Sequence, residues 1–133
     1  MSAEKNPHFD VIQSEGYLTL KLTGALDADL VKKIETDCVA AIPTEPANDL
    51  VVNCESLSEI SPQAIRLLLS IHRKLKSVNK QIRLISANKA VSQFILQQGV
   101  NDALQVKASL RAALVDFGLV TPKSVDVNFI NPF

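Results

Sequence analysis

Three side chains in this 133-residue sequence are of the types that activate a nucleophile: Ser61, His72 and Asp27. A serine gains reactivity when an imidazole accepts its proton, a carboxylate orients that imidazole, and nearby N–H groups face the developing oxyanion. No motif sets these three within reach of one another or supplies the oxyanion donors, so they are not read as a triad. The glycines, at 16, 24, 99 and 118, are too scattered for a phosphate-cradling loop. His8 has no companion ligand, and His72, set among Arg66, Arg73, Lys74 and Lys76, reads as a surface or boundary residue. Cys38 and Cys54 lie inside apolar patterns without metal-ligand spacing and are expected to be buried thiols in a reducing compartment. The chain is therefore expected to be non-enzymatic, with no cofactor and no metal.

What remains is binding. Lys plus Arg is 14 and Asp plus Glu is 14, so no overall field draws the chain onto nucleic acid or an anionic membrane. The basic run Arg66, Arg73, Lys74, Lys76, Lys80 and Arg83 reads as a solvated helix face or as a local surface for an acidic protein. Aromatic residues for base stacking do not interleave it, which argues further against nucleic acid. No apolar stretch approaches the roughly 20 residues of a membrane span, and the polar first ten residues lack an apolar signal core. A cytoplasmic protein with no membrane contact is expected.

The elements that must position a binding surface follow from periodicity. Phe9, Val11 and Ile12 form a short β-prone run, Glu15-Gly16 turns the chain, and Tyr17, Leu18, Leu20 and Leu22 follow near period two, which predicts a hairpin. Asp27 can cap a helix with the stripe Leu30, Val31, Ile34, Cys38 and Ala41, ended by Ile42-Pro43. Leu50-Val51-Val52 is a short apolar run suited to a strand covered on both faces. Residues 53–61 are polar apart from Cys54, Leu57 and Ile60. Then Pro62, tolerated only in a first helical turn, places a long helix from Ser61-Pro62 to about Val78, with Ser61 as N-cap and Ala64, Leu67, Leu68, Ile71 and Leu75 facing inward. A strand at Ile82, Leu84 and Ile85, a helix over residues 90–98 closed by Gly99, a short strand at Val106 and a helix over residues 109–117 ended by Gly118 complete the pattern. The order ββαβαβαβα calls for an α/β fold: a mixed, partly parallel sheet with helices packed against it.

Three stretches on these elements resemble the STAS, or anti-sigma-factor antagonist, family. Asn53-Cys54-Glu55-Ser56-Leu57-Ser58-Glu59-Ile60-Ser61-Pro62-Gln63-Ala64-Ile65 matches the family's phrase Asp-Leu-Ser-Gly-Val-x-x-Ile-Asp-Ser-Ser-Gly-Leu in apolar frame and helix register. Thr23-Gly24-Ala25-Leu26-Asp27 is similar to its Gly-x-Leu-Asp, and Ile95-Leu96-Gln97-Gln98-Gly99-Val100 to its Leu-x-x-x-Gly-Leu. The resemblance implies a regulator that binds an anti-sigma factor or a related signalling protein. It departs in the polar half of the central motif: the family's Asp falls on Ser61, its phosphorylatable serine on Pro62, which has no hydroxyl, its second Ser on Gln63 and its Gly on Ala64, and Ser58 and Ser61 are the hydroxyls left to carry a phosphate near the helix start. The surface that the family uses maps here to Ser58, Glu59, Ser61, Pro62, Gln63, Arg66 and Arg73.

Residues 1–118 are expected to form this domain and residues 119–133 a linker and tail. The last nine residues, Val125-Asp126-Val127-Asn128-Phe129-Ile130-Asn131-Pro132-Phe133, resemble the opening of CheX-type chemotaxis phosphatases. Two rival functions stay open beside the regulatory module: an input or targeting domain for such a phosphatase system, and a small-ligand or nucleotide sensor. A homodimer is compatible with each.

Overall fold

The computed structural model describes residues 8–45 and 47–121, and the phosphatase-like phrase lies outside them. Nine elements follow the expected order: β1 (Phe9–Ser14), β2 (Tyr17–Leu26), α1 (Ala28–Ala40), β3 (Asp49–Ile60), α2 (Pro62–Lys76), β4 (Ile82–Ile85), α3 (Lys89–Gln97), β5 (Gln105–Lys107) and α4 (Leu110–Asp116). The strands make one sheet in the order β1-β2-β3-β4-β5, with β1 antiparallel to β2 and every later pair parallel. Parallel neighbours need a crossover, and α1, α2 and α3 supply it.

Alternation along the strands sorts the two faces. Leu18, Leu20, Leu22, Leu50, Val52, Ile82 and Leu84 are buried with Val31, Ile34 and Cys38 of α1, Leu67, Leu68, Ile71 and Leu75 of α2, and Val91 and Ile95 of α3. Val51 and Ile85 point the other way and form a second, smaller cluster with Ala113 of α4, flanked by Tyr17 and Phe117. Three helices thus cover one face, and α4 covers part of the other. Truncating a fully buried side chain such as Leu68 to alanine would cost about 2–5 kcal/mol.

The helix starts are set by short polar side chains. Asp27 Oδ1 accepts from Leu30 N–H at 2.9 Å, Ser61 Oγ from Ala64 N–H at 3.2 Å, and Asn88 Oδ1 from Val91 N–H at 2.8 Å. Each satisfies one of the donors that a first turn leaves open, a contribution of about 1 kcal/mol per cap. Gly99 and Gly118 hold φ of 71° and 80°, the left-handed turn that ends α3 and α4. Leu119 then lays its Cδ atoms over Gly16 in the hairpin turn, 3.1 Å from where a Cβ would stand.

The strand read at Leu50-Val51-Val52 is longer than its apolar run. The mostly polar residues that follow belong to it as well: β3 continues to Ile60, paired with β2 along its length. The register shows why the pattern misleads. Lys21 faces Asn53 but Thr23 faces Ser56, and Gly24 faces Leu57 but Ala25 faces Glu59, so β3 carries an extra residue at each of two bulges. Each bulge moves the inward set by one. The core-facing positions therefore run Leu50, Val52, Cys54, Leu57, Ile60 instead of holding period two. Asn53 Oδ1 accepts Glu55 N–H at 2.9 Å at the first bulge, and Gly24 takes φ of 99° opposite the second. Two smaller differences are that α2 ends at Lys76 and that α3 begins at Lys89, behind its Asn88 cap.

Candidate functional site

Because β2, β3 and β4 run parallel, the starts of α1, α2 and α3 gather at one end of the sheet. The β3–α2 junction lies at the middle of that end. Ser58 is the extra residue of the second bulge and is exposed, as is Glu59 beside it. Asn88 Nδ2 donates to the Leu57 carbonyl at 3.2 Å, fastening the bulge to the start of α3. Ser61 is half-buried with extended backbone, its hydroxyl engaged by Ala64 N–H, and Pro62 stands exposed at the first helical position.

From there the surface passes along α2. Gln63 is half-buried and Arg66 exposed, and both line a groove of about 390 Å³ whose other wall is α1, through Ala28, Asp29, Val31, Lys32 and Glu35. Asp29, Lys32, Glu35 and Arg66 form no ion pair with one another among the described residues, although both signs line one groove. Farther along the two helices Lys74 Nζ donates to the Val39 carbonyl at 2.7 Å, a cation placed on the negative end of α1. Arg73, exposed two turns beyond Arg66, reaches Ser70 Oγ at 3.4 Å.

The basic run seen in the sequence therefore divides. Arg66 and Arg73 are exposed and form no ion pair among the described residues, and Lys74 joins α1 to α2. Arg83 is on the opposite face, 2.7 Å from Asp116 Oδ2, with Lys107 Nζ 3.1 Å from the same oxygen. The Arg83 hydrogen bond holds the Asp116 carboxyl below its ordinary value, helped by Lys107, against a smaller opposing push from burial.

Ser61, His72 and Asp27 do not come together as a catalytic set. Ser61 and Asp27 cap separate helices, and His72 sits midway along α2 with Nδ1 shielded from solvent and without a hydrogen-bond partner among the described residues. Burial, followed by the charges of Lys76, Arg73 and Arg83, holds the His72 imidazole below its ordinary value. Burial pushes both Cys38 and Cys54 up to about 12, the state of inert core thiols. Among the described residues no group of three or more His, Cys, Asp or Glu side chains could hold a metal, and no helix is long and apolar enough to cross a membrane.

The α1 wall and the Asn88 clasp escaped the sequence reading. Asp29, Lys32 and Glu35 recur at helical spacing outside the apolar stripe, a signal equally expected of a plain solvated face. Asn88 is a recognisable cap, but only the fold brings it to Leu57.

The family described as "Mlab, STAS domain" matches residues 10–120. No curated protein matches the sequence. Among solved structures, an anti-sigma factor antagonist from Mycobacterium paratuberculosis superposes with a TM-score of 0.71 at 16% identity, covering 89% of this chain and 99% of that one. An anti-sigma-factor antagonist (STAS) domain protein from Planctomyces limnophilus gives 0.73 at 13% identity, covering 82% and 96%. The Bacillus protein SpoIIAA in its unphosphorylated form gives 0.66 at 21% identity, covering 85% and 99%. At these identities the likeness is one of fold.

Proposed function

The chain belongs to the STAS domain family, and we propose that it is a non-enzymatic cytoplasmic regulator that acts by binding an anti-sigma factor or a related signalling protein. The observation that carries this reading is the exposed strip Ser58, Glu59, Pro62, Arg66 and Arg73 on a junction tied down by the Ser61 cap and the Asn88 clasp. Its side chains are exposed and not needed for packing, and the cap and clasp join the junction to α2 and α3, so the surface is available to a partner. The proposed contact surface is Ser58, Glu59, Ser61, Pro62, Gln63, Arg66 and Arg73, continued across the groove by Asp29 and Glu35. Solved relatives of this fold carry the name anti-sigma factor antagonist, which supports the class of partner.

Regulation by phosphate at the usual family position is not part of the proposal, because Pro62 stands there. A photo-crosslinking residue at position 66, compared with one at the exposed position 13 on β1, tests the reading in the native host. Capture of an anti-sigma factor or similar signalling protein from position 66 and not from position 13 is expected. Equal capture from both positions, or capture from 13 alone, would overturn it.

A further inference from the structure

The far side of the sheet ends in β5, which pairs only with β4. Beyond that ladder, Gln105, Val106 and Lys107 make no backbone hydrogen bonds among the described residues. A strand edge of this kind presents amide donors and carbonyl acceptors at strand spacing, a pattern that an extended backbone complements. Edges are commonly guarded by a charged lysine, but Lys107 is drawn to Asp116 of α4.

Beside the edge lies a groove of about 490 Å³. Ser92, Ile95 and Leu96 of α3 form one wall, Gln105, Val106 and Lys107 the other, and Asn101 and Asp102 close an end. Leu96 is 62% exposed, the most exposed large apolar side chain of those described, although its neighbour Ile95 is in the core. Asp102 is exposed and has no ion pair among the described residues. An unpaired strand edge, an exposed aliphatic side chain and an unneutralised carboxylate thus border one cleft.

We infer that this cleft is a second docking site, independent of the α2 surface, for a short extended segment of a partner protein. The segment adds as a strand beside β5, sets an aliphatic side chain against Leu96, Ile95 and Val106, and brings a lysine or arginine to Asp102. The three-residue edge limits it to a few ladder bonds, so the side-chain contacts supply the selectivity.

Panning a phage-displayed heptapeptide library on the whole chain tests the site. Enriched peptides that combine an aliphatic with a basic residue are expected, and in amide NMR spectra they should perturb residues 92–96 and 101–107. Leu96→Asp should weaken the best synthetic heptapeptide about tenfold or more, and Asp102→Lys about threefold or more. Both residues are exposed, so the variants should fold, which circular dichroism checks. No enrichment, perturbations confined to the α1–α2 groove, or unchanged affinity in both variants would overturn the inference. So would a dimer in sedimentation that Leu96→Asp dissociates, because a second copy would then occupy the edge.

Discussion

Arg83 on β4 donates its Nε–H to Asp116 at 2.7 Å, which ties the last helix to the face of the sheet that α1, α2 and α3 leave open. Asp116→Asn should lower stability by about 1 kcal/mol at neutral pH, the upper range for a partly exposed pair. The sign with pH follows from the depressed carboxyl. The contribution is complete above the ordinary value of 3.8 and is lost as pH falls through the lower folded value. Urea midpoints of parent and variant should therefore differ at neutral pH and converge on strong acidification.

Gln63→Glu and Arg66→Glu alter the groove wall and not the core. Each should leave stability within about 0.5 kcal/mol and weaken binding of the crosslinked partner by about 1 kcal/mol or more, at least about fivefold. Paired calorimetry and denaturation measure both quantities, and unchanged affinity in both variants would move the contact surface elsewhere.

Pro62 gives a sharper test of regulation. Ser61 Oγ is already engaged by Ala64 N–H, so an anti-sigma-type kinase should leave the parent chain unmodified, whereas Pro62→Ser should become a substrate. Intact-mass spectrometry after incubation reads this directly. Stoichiometric phosphate on Ser58 or Ser61 of the parent would restore a displaced switch.

His72 predicts the opposite pH sign from a partnered histidine. Its folded value lies below the ordinary 6.5, so the unfolded chain takes up the proton first, and stability falls as pH drops through 6.5 toward the folded value. His72→Gln should flatten that part of the profile. An equally steep fall in the variant would assign the effect to other groups.

Leu119 sets the boundary of the folded unit. Ending the chain after Thr121 should shift the melting temperature little, whereas ending it after Gly118 removes the half-exposed Leu119 from the hairpin turn and should cost about 1 kcal/mol. A large loss from the shorter deletion, 122–133, would show that the tail buries apolar surface on the domain.

Element order could be read from the sequence because its punctuation is local: Asp27, Ser61-Pro62, Gly99 and Gly118 act within one turn of where they stand. The second half of β3 was hidden because two bulges shift its inward side chains, so neither a period of two nor one of 3.6 survives from Cys54 to Ile60. The candidate surface was partly visible, since its α2 half follows the helix start. Its α1 half depends on how two helices lie side by side, and the separation of Lys74 and Arg83 from Arg66 depends on tertiary partners 35 and 33 residues away.

The strand order β1-β2-β3-β4-β5 is also the order of synthesis. Each new strand leaving a ribosome therefore finds its sheet neighbour already made, and no insertion between earlier strands is required. The exception is the cover: Val51 and Ile85 wait for Ala113 and Phe117 of α4, the last helix. A nascent chain stalled before α4 emerges should carry an open apolar patch on an otherwise assembled sheet, a natural target for a holding chaperone, and crosslinking from position 51 on stalled ribosomes would reveal it.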